Sequence, residues 1–152
     1  MTMNVPDLRV ERIEASRLST IDLASVAFSS VFSDHMLTAI YDDGRWREAT
    51  IGAYGPIPLP PSITALHYGV SVFEGLKAHR SPAGDVVLFR PWENAHRLNR
   101  SAARLAMPVV PEELFLDGLR QLIQLDRGWV PPAGQGALYV RPCCSQPTPR
   151  SA

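Results

Sequence analysis

Three prolines, Pro91, Pro108 and Pro111, set the frame within which the second half of this chain can fold. Proline fixes φ and has no N–H, so it starts a helix or stops one but does not sit inside it. "PWENAHRLNRSAARLAM" therefore reads as a helix over about 92–106, with Pro91 in its first turn and Pro108 beyond its end. Ala95, Leu98, Ala102 and Leu105 give it an apolar stripe at helical spacing. Pro111 and the acidic pair Glu112–Glu113 open a second helix, over about 111–127, where negative charge suits the positive helix N-terminus. Its buried face is Phe115, Leu119, Leu122 and Ile123, with Gly128 as its cap.

Upstream the pattern changes from helical to extended. "HMLTAIYDDGRWREATI" holds two β-rich runs around Asp43–Gly44, a strong hairpin signal. "GAYGPIPLPPS" is a Pro- and Gly-rich connection that no central strand tolerates. A second hairpin runs through "GLKAHR" and "VVLFR", its turn marked by Pro82, Gly84 and Asp85. "WVPPAGQG" is a loop, and "ALYVR" is the last strand. Residues 1–27 read as an irregular or partly helical arm. Hairpins followed by helices imply an α+β domain, a mostly antiparallel sheet with the two helices on one face.

A chain of 152 residues allows one ordinary domain. At that length folding removes roughly 68–70% of the unfolded surface from water, so a core forms without metal or disulfide staples. With 45% hydrophobic and 20% charged residues the chain is globular rather than disordered. Its zero formal net charge argues against a nucleic-acid partner. Among its 15 cations Lys77 is the single lysine, leaving fourteen arginines. That skew is read as genome composition before it is read as anion binding. Cys143 and Cys144 are adjacent, a spacing that strains a disulfide, and no zinc-ligand spacing is present, so no metal is expected. The N-terminus has no apolar signal-peptide core and no run is long enough for a membrane span, so a reduced cytoplasm is the default. The sequon at Asn99–Ser101 then carries no weight.

Two constellations have chemical content. Arg97, Arg100 and Arg104 share one helix face. Arg100 and Arg104 are read as solvated surface, whereas Arg97 lies in the early turns, where a fork and a helix dipole both favour an anion such as phosphate. Tyr139 and Arg141 stand two apart on the last strand and project from one face, a phenol beside a guanidinium. On spacing alone they are an edge pair facing water. "LHYG" and "FEG" place Tyr68 and Phe73 beside glycines, where backbone approaches a ligand closely or simply packs at a bend. His35, His67, His79 and His96 show no catalytic spacing, and "GQGA" is too weak for a nucleotide loop.

The strings "FSDHM", "ALHYGVSVFEGLKAHR", "LFRPWENAHRLNRSAARLAMP", "DRGWVP" and "LYVRP", in that order, resemble the N-terminal part of branched-chain amino-acid aminotransferases, pyridoxal-phosphate enzymes of fold type IV. The resemblance runs from about Phe28 to Pro142. It implies that residues 28–142 are the small domain of such an enzyme. Arg97 would hold the cofactor phosphate; Phe28, Tyr68, Phe73 and Tyr139 would wall the pocket for a branched apolar side chain. Arg141 would read the distal carboxylate of glutamate or 2-oxoglutarate. The implied reaction is amino-group transfer from leucine, isoleucine or valine to 2-oxoglutarate, and the family acts as a homodimer. The lysine that carries the cofactor belongs to the family's larger domain, so no catalytic residue is expected here and Lys77 is not that lysine. A D-amino-acid aminotransferase or an aminodeoxychorismate-lyase-like relative shares the fold but fits "LHYG", "FEG" and "LYVRP" less well. From another class, the alternative is a non-catalytic phosphate-binding or dimerising domain.

"CCSQPTPRSA", residues 143–152, departs from the family. One codon assignment for it, read from one base earlier, gives VLFTTDPALG, which resembles the family's continuation. The tail is therefore expected to be a frameshifted end, and the chain a fragment that is inactive alone.

Overall fold

The computed structural model describes residues 5–145. Strand β1 is Leu8–Val10, β2 His35–Asp42, β3 Arg45–Ala53, β4 Ser71–Phe73, β5 Leu76–Arg80, β6 Val86–Leu88, β7 Leu138–Val140 and β8 Cys143–Ser145. Helix α1 is Thr64–Tyr68, α2 Pro91–Arg104 and α3 Glu112–Leu125. The α+β reading holds, with all pairs antiparallel except β1 with β3, but the strands form three small sheets: β1-β3-β2, β4-β8 and β6-β5-β7.

The Asp43–Gly44 hairpin is where the sequence placed it. Both residues take positive φ, 50° and 75°, the two left-handed positions that a two-residue turn needs to match strand twist. A bulge between Ile40 and Tyr41 then shifts the register of β2 against β3. In the second hairpin Gly84 N–H donates to Ser81 O and Ser81 N–H to Asp85 O, closing the turn that Pro82, Gly84 and Asp85 mark.

Both helices lie within two residues of their expected bounds. Ala95, Leu98 and Ala102 are buried, as are Phe115, Leu119 and Ile123, whereas Leu122, expected with them, is only half-buried. Two further expectations are corrected. Leu105 is 42% exposed, because the helix stops at Arg104 and Leu105 serves as its C-cap. Gly128 does not cap α3, which ends at Leu125 with Asp126 as cap; Gly128 lies in the 3-10 turn Arg127–Trp129. Gly118 is in α3 for packing, since a Cβ there would run into Leu37 of β2. Asn99 accepts from Val110 N–H and donates to Val110 O, both at 2.8 Å, and so ties the loop after α2 back onto it.

The arm is more ordered than composition suggests. It contains β1 and a 3-10 turn at Arg17–Thr20, held by two buried carboxylates. Asp34 accepts from the Ser16 hydroxyl at 2.5 Å, Trp129 Nε1 at 2.8 Å and Arg17 through both N–H and Nε. Asp126 accepts from His35 N–H at 2.9 Å and from its Nδ1 at 2.6 Å. Ile13 N–H donates to His35 Nε2, so that nitrogen is the acceptor and Nδ1 carries the proton. Burial pushes the Asp34 carboxyl upward, but its four donors outweigh burial and hold it below its ordinary 3.8.

Asp34→Asn should cost about 2 kcal/mol at neutral pH, since buried donors that lose a charged acceptor each cost about 1–3 kcal/mol. The Asp34 contribution is complete above the unfolded carboxylate value and disappears as pH falls through the lower folded value. Denaturant midpoints measured down that pH range should fall in the wild type more than in the variant. Equal stability of the two at neutral pH would refute the role given to Asp34.

Candidate functional site

Alternation along β5 splits its side chains between core and cleft. Leu76 and Ala78 are buried, while Lys77 and His79 are exposed. Opposite Lys77 in the antiparallel register stands Tyr139 of β7. Across from them is the exposed side of α2, and between lies an open cleft of about 520 Å³ whose lining includes Lys77, His79, Arg90, Arg97 and Tyr139.

Arg97 is half-exposed in this cleft. Its Nε donates to Glu74 Oε1 at 2.9 Å and its Nη2 to Glu74 Oε2 at 2.8 Å. This ion pair raises the Arg97 pKa further, and the Arg97 hydrogen bond is the main cause that lowers that of Glu74. Arg97 is the seventh residue of α2, beyond the first turn in which the dipole is felt. The dipole support expected for it is therefore absent, and any anion there rests on the guanidinium itself. Arg100 and Arg104 are exposed on the same helix, as expected.

The structure brings four of the other named residues together. The Phe28 and Tyr139 rings meet edge-on at 5.3 Å. Arg141 Cζ lies 5.3 Å from the Tyr139 ring centre and 5.4 Å from that of Phe73, a cation between two π faces. Tyr68 stands apart: it is 81% exposed at the end of α1, and its ring contact is with His67. Gly69, with φ 66°, ends that helix as its left-handed cap.

Sequence reasoning missed two residues. Glu74 was visible only as the middle of "FEG", and a carboxylate that pairs across 23 positions leaves no local signal. Gly75 makes room for protein rather than ligand: a Cβ there would strike the Tyr139 hydroxyl and lie 2.9 Å from Cζ. Among the described residues no group of three His, Cys, Asp or Glu can hold a metal ion. No helix among them is long and apolar enough to cross a membrane.

An α+β domain with a guanidinium-bearing cleft and an aromatic wall is what the geometry defines. No family model matches the chain. It is 52% identical over 122 residues to a branched-chain-amino-acid aminotransferase of Mycolicibacterium smegmatis, covering 79% of this chain and 33% of that protein. It is 46% identical over 122 residues to branched-chain-amino-acid transaminase 1 of Bacillus subtilis, covering 80% and 34%. Among solved structures, the Escherichia coli branched-chain amino acid aminotransferase aligns with TM-score 0.50 and 28% identity, over 60% of this chain and 28% of that one. The branched-chain aminotransferase of Thermoproteus uzoniensis, solved with norvaline, shares the fold at TM-score 0.53 and 20% identity, over 77% and 36%. The chain is a homologue of the branched-chain-amino-acid aminotransferases and spans about a third of the length of the curated relatives it matches.

Gly75→Ala should cost about 1–3 kcal/mol by overpacking and displace the Tyr139 ring from Phe28 and Arg141. In a double-mutant cycle with Tyr139→Ala, the Gly75→Ala cost should shrink, since the clashing ring is gone. Additive effects would show that Gly75 is there for another reason.

Proposed function

We propose that this chain supplies the small-domain side of a pyridoxal-phosphate-dependent site for amino transfer between branched-chain amino acids and 2-oxoglutarate. The observation that carries the reading is Tyr139, which belongs at once to the cationic cleft and to the Phe28–Phe73–Arg141 group. One side chain thus joins an anion subsite to an apolar wall with a guanidinium at its edge.

The donor set suits a phosphate. Arg97 gives only one edge to Glu74, and Lys77 and Arg90 line the same cleft. When bound, pyridoxal phosphate supplies the electron sink on which amino groups are exchanged. Arg97 would hold its phosphate. Phe28, Phe73 and Tyr139 would exclude water from a branched side chain, and Tyr68, which stands apart from them, would join that wall only against a further surface. Arg141, steadied between two rings, would pair with the distal carboxylate of the acidic substrate, a task for which a rigid fork is better suited than an ammonium.

Lys77 is not the group that carries the cofactor. It sits on a strand with its side chain exposed, where the aliphatic stem packs and the amine stays in water. The amine that performs that role, and the group facing the cofactor ring nitrogen, would come from a large domain, and the active form would be a cytoplasmic homodimer. Residues 28–142 would then be the small domain. Of the tail read as frameshifted, Cys143–Ser145 pairs with β4, and residues 146–152 lie outside the described residues.

The test is a chimera in which residues 28–142 replace the homologous segment of a full-length relative. It should transaminate leucine with 2-oxoglutarate. Arg141→Ala should lower kcat/KM for 2-oxoglutarate by about 10–100-fold, the loss of a charged hydrogen-bonded pair, and change that for leucine far less. An equal loss for both substrates would remove the role given to Arg141. After incubation of the 152-residue chain with pyridoxal phosphate and reduction by borohydride, peptide mapping should find no stoichiometric label on Lys77. Stoichiometric label there, with turnover that Lys77→Ala abolishes, would overturn the assignment.

A further inference from the structure

Glu74 borders a cleft whose charged lining is Lys77, Arg90, Arg97 and Glu93, the last paired with Arg90, and its carboxylate is held with care. Its side chain is only 12% exposed. Besides Arg97, the buried Asn94 donates to Oε2 at 2.9 Å, and the same amide reaches Gly75 O at 3.2 Å. Glu74 N–H donates to Pro142 O at 2.9 Å, which joins this bend to the segment that follows Arg141. Asn94 and Arg97 are three apart on α2, so one helix face grips one carboxylate. Arg97 presents five N–H donors on a planar fork. Glu74 takes the Nε–Nη2 edge, which leaves both Nη1 donors and the second Nη2 donor for something else.

We propose that Glu74 is a positioning residue for the anion subsite: it fixes the Arg97 guanidinium by one edge so that the adjacent edge is preset for a phosphate group. This rests on the reading of Arg97 as the phosphate holder. The arrangement has a cost, because a second anion is placed beside the first. Coulomb repulsion alone makes Glu74 weaken phosphate binding, whereas orientation of a flexible arginine strengthens it. The two contributions have opposite signs, and the sign of the effect of a neutral isostere decides between them.

The experiment titrates inorganic phosphate, and separately pyridoxal phosphate, into the full 152-residue chain and follows the Arg97 Nε–H resonance by NMR. In the wild type that resonance should be sharp and should shift on addition of phosphate. Arg97→Lys should weaken phosphate binding. Glu74→Gln should broaden the Nε–H signal and weaken phosphate binding by about tenfold, the size of one lost charged hydrogen bond, although it removes a negative charge. Glu74→Asp, which keeps the charge but falls short of the fork, should also weaken it. Phosphate binding by Glu74→Gln as tight as wild type or tighter would overturn the proposal while leaving the Arg97 reading intact. Binding unaffected by Arg97→Lys, or absent from the wild type, would remove the Arg97 reading and the proposal with it. Failure of both Glu74 variants to fold, judged by their amide spectra, would make Glu74 architectural and also count against the proposal.

Discussion

The described fold depends on what two buried carboxylates do at one corner. Asp34 and Asp126 are both nearly inaccessible, and between them they receive donors from the arm, from the start of β2 and from Trp129. A buried charge is costly unless its oxygens are satisfied. Here each oxygen has a donor, so the need to keep those donors in place holds the arm alongside the packing of Leu8 against the core. Ser16 and Arg17 are the arm residues that meet this need directly, and Ile13 N–H holds the far nitrogen of His35, the donor to Asp126. The corner differs from the cleft in character: its Arg17 guanidinium is committed to Asp34 and to the Phe32 and Ser33 carbonyls. It fixes β2, on which α3 packs, and α3 in turn supports α2, the helix that carries Arg97.

This explains which parts could be read from sequence. Asp43–Gly44, Pro82–Asp85 and the prolines around α2 and α3 act through backbone dihedrals, which are local, and these elements fell where expected. The arm was legible only in part, because β1 exists through its parallel pairing with β3, some forty residues away, and the turn at Arg17–Thr20 through Asp34. Local composition carries no record of such a partner. The same reason hid Glu74, whose three contacts come from a distant helix and a distant strand end. Leu105 and Gly128 were misjudged for a different cause: periodicity runs on past the point where α2 and α3 stop, and helix ends are decided by capping geometry.

The site shows a division of labour between the two kinds of signal. That Tyr139 and Arg141 share a face followed from strand alternation. That the face is furnished by Phe28 and Phe73 did not, since those residues come from a loop and from β4, and only the resemblance to aminotransferases had named them. Tyr68 was named in the same way, yet it lies outside the ring contacts of the group. An 81% exposed tyrosine at a helix end needs a further surface to pack against before it can wall a pocket. Phe28 and Phe73, 72% and 64% exposed, share that need.

The segment after Pro142 poses the question of what a strand requires. Cys143–Ser145 pairs antiparallel with Ser71–Phe73, and Cys144 rests half-buried against the core. Ladder pairing uses backbone N–H and C=O alone, so any residues without proline could occupy these three positions. The pairing is therefore equally compatible with a tail read in frame and one read out of frame. What the side chains do is more specific. Successive residues in a strand point to opposite faces, which separates the Cys143 and Cys144 thiols and disfavours a disulfide between them. Burial pushes the Cys144 thiol up to about 11, so it stays protonated and packs as a small apolar group. The strand thus closes the edge of β4, next to Glu74 and Phe73, without bringing chemistry of its own to the cleft.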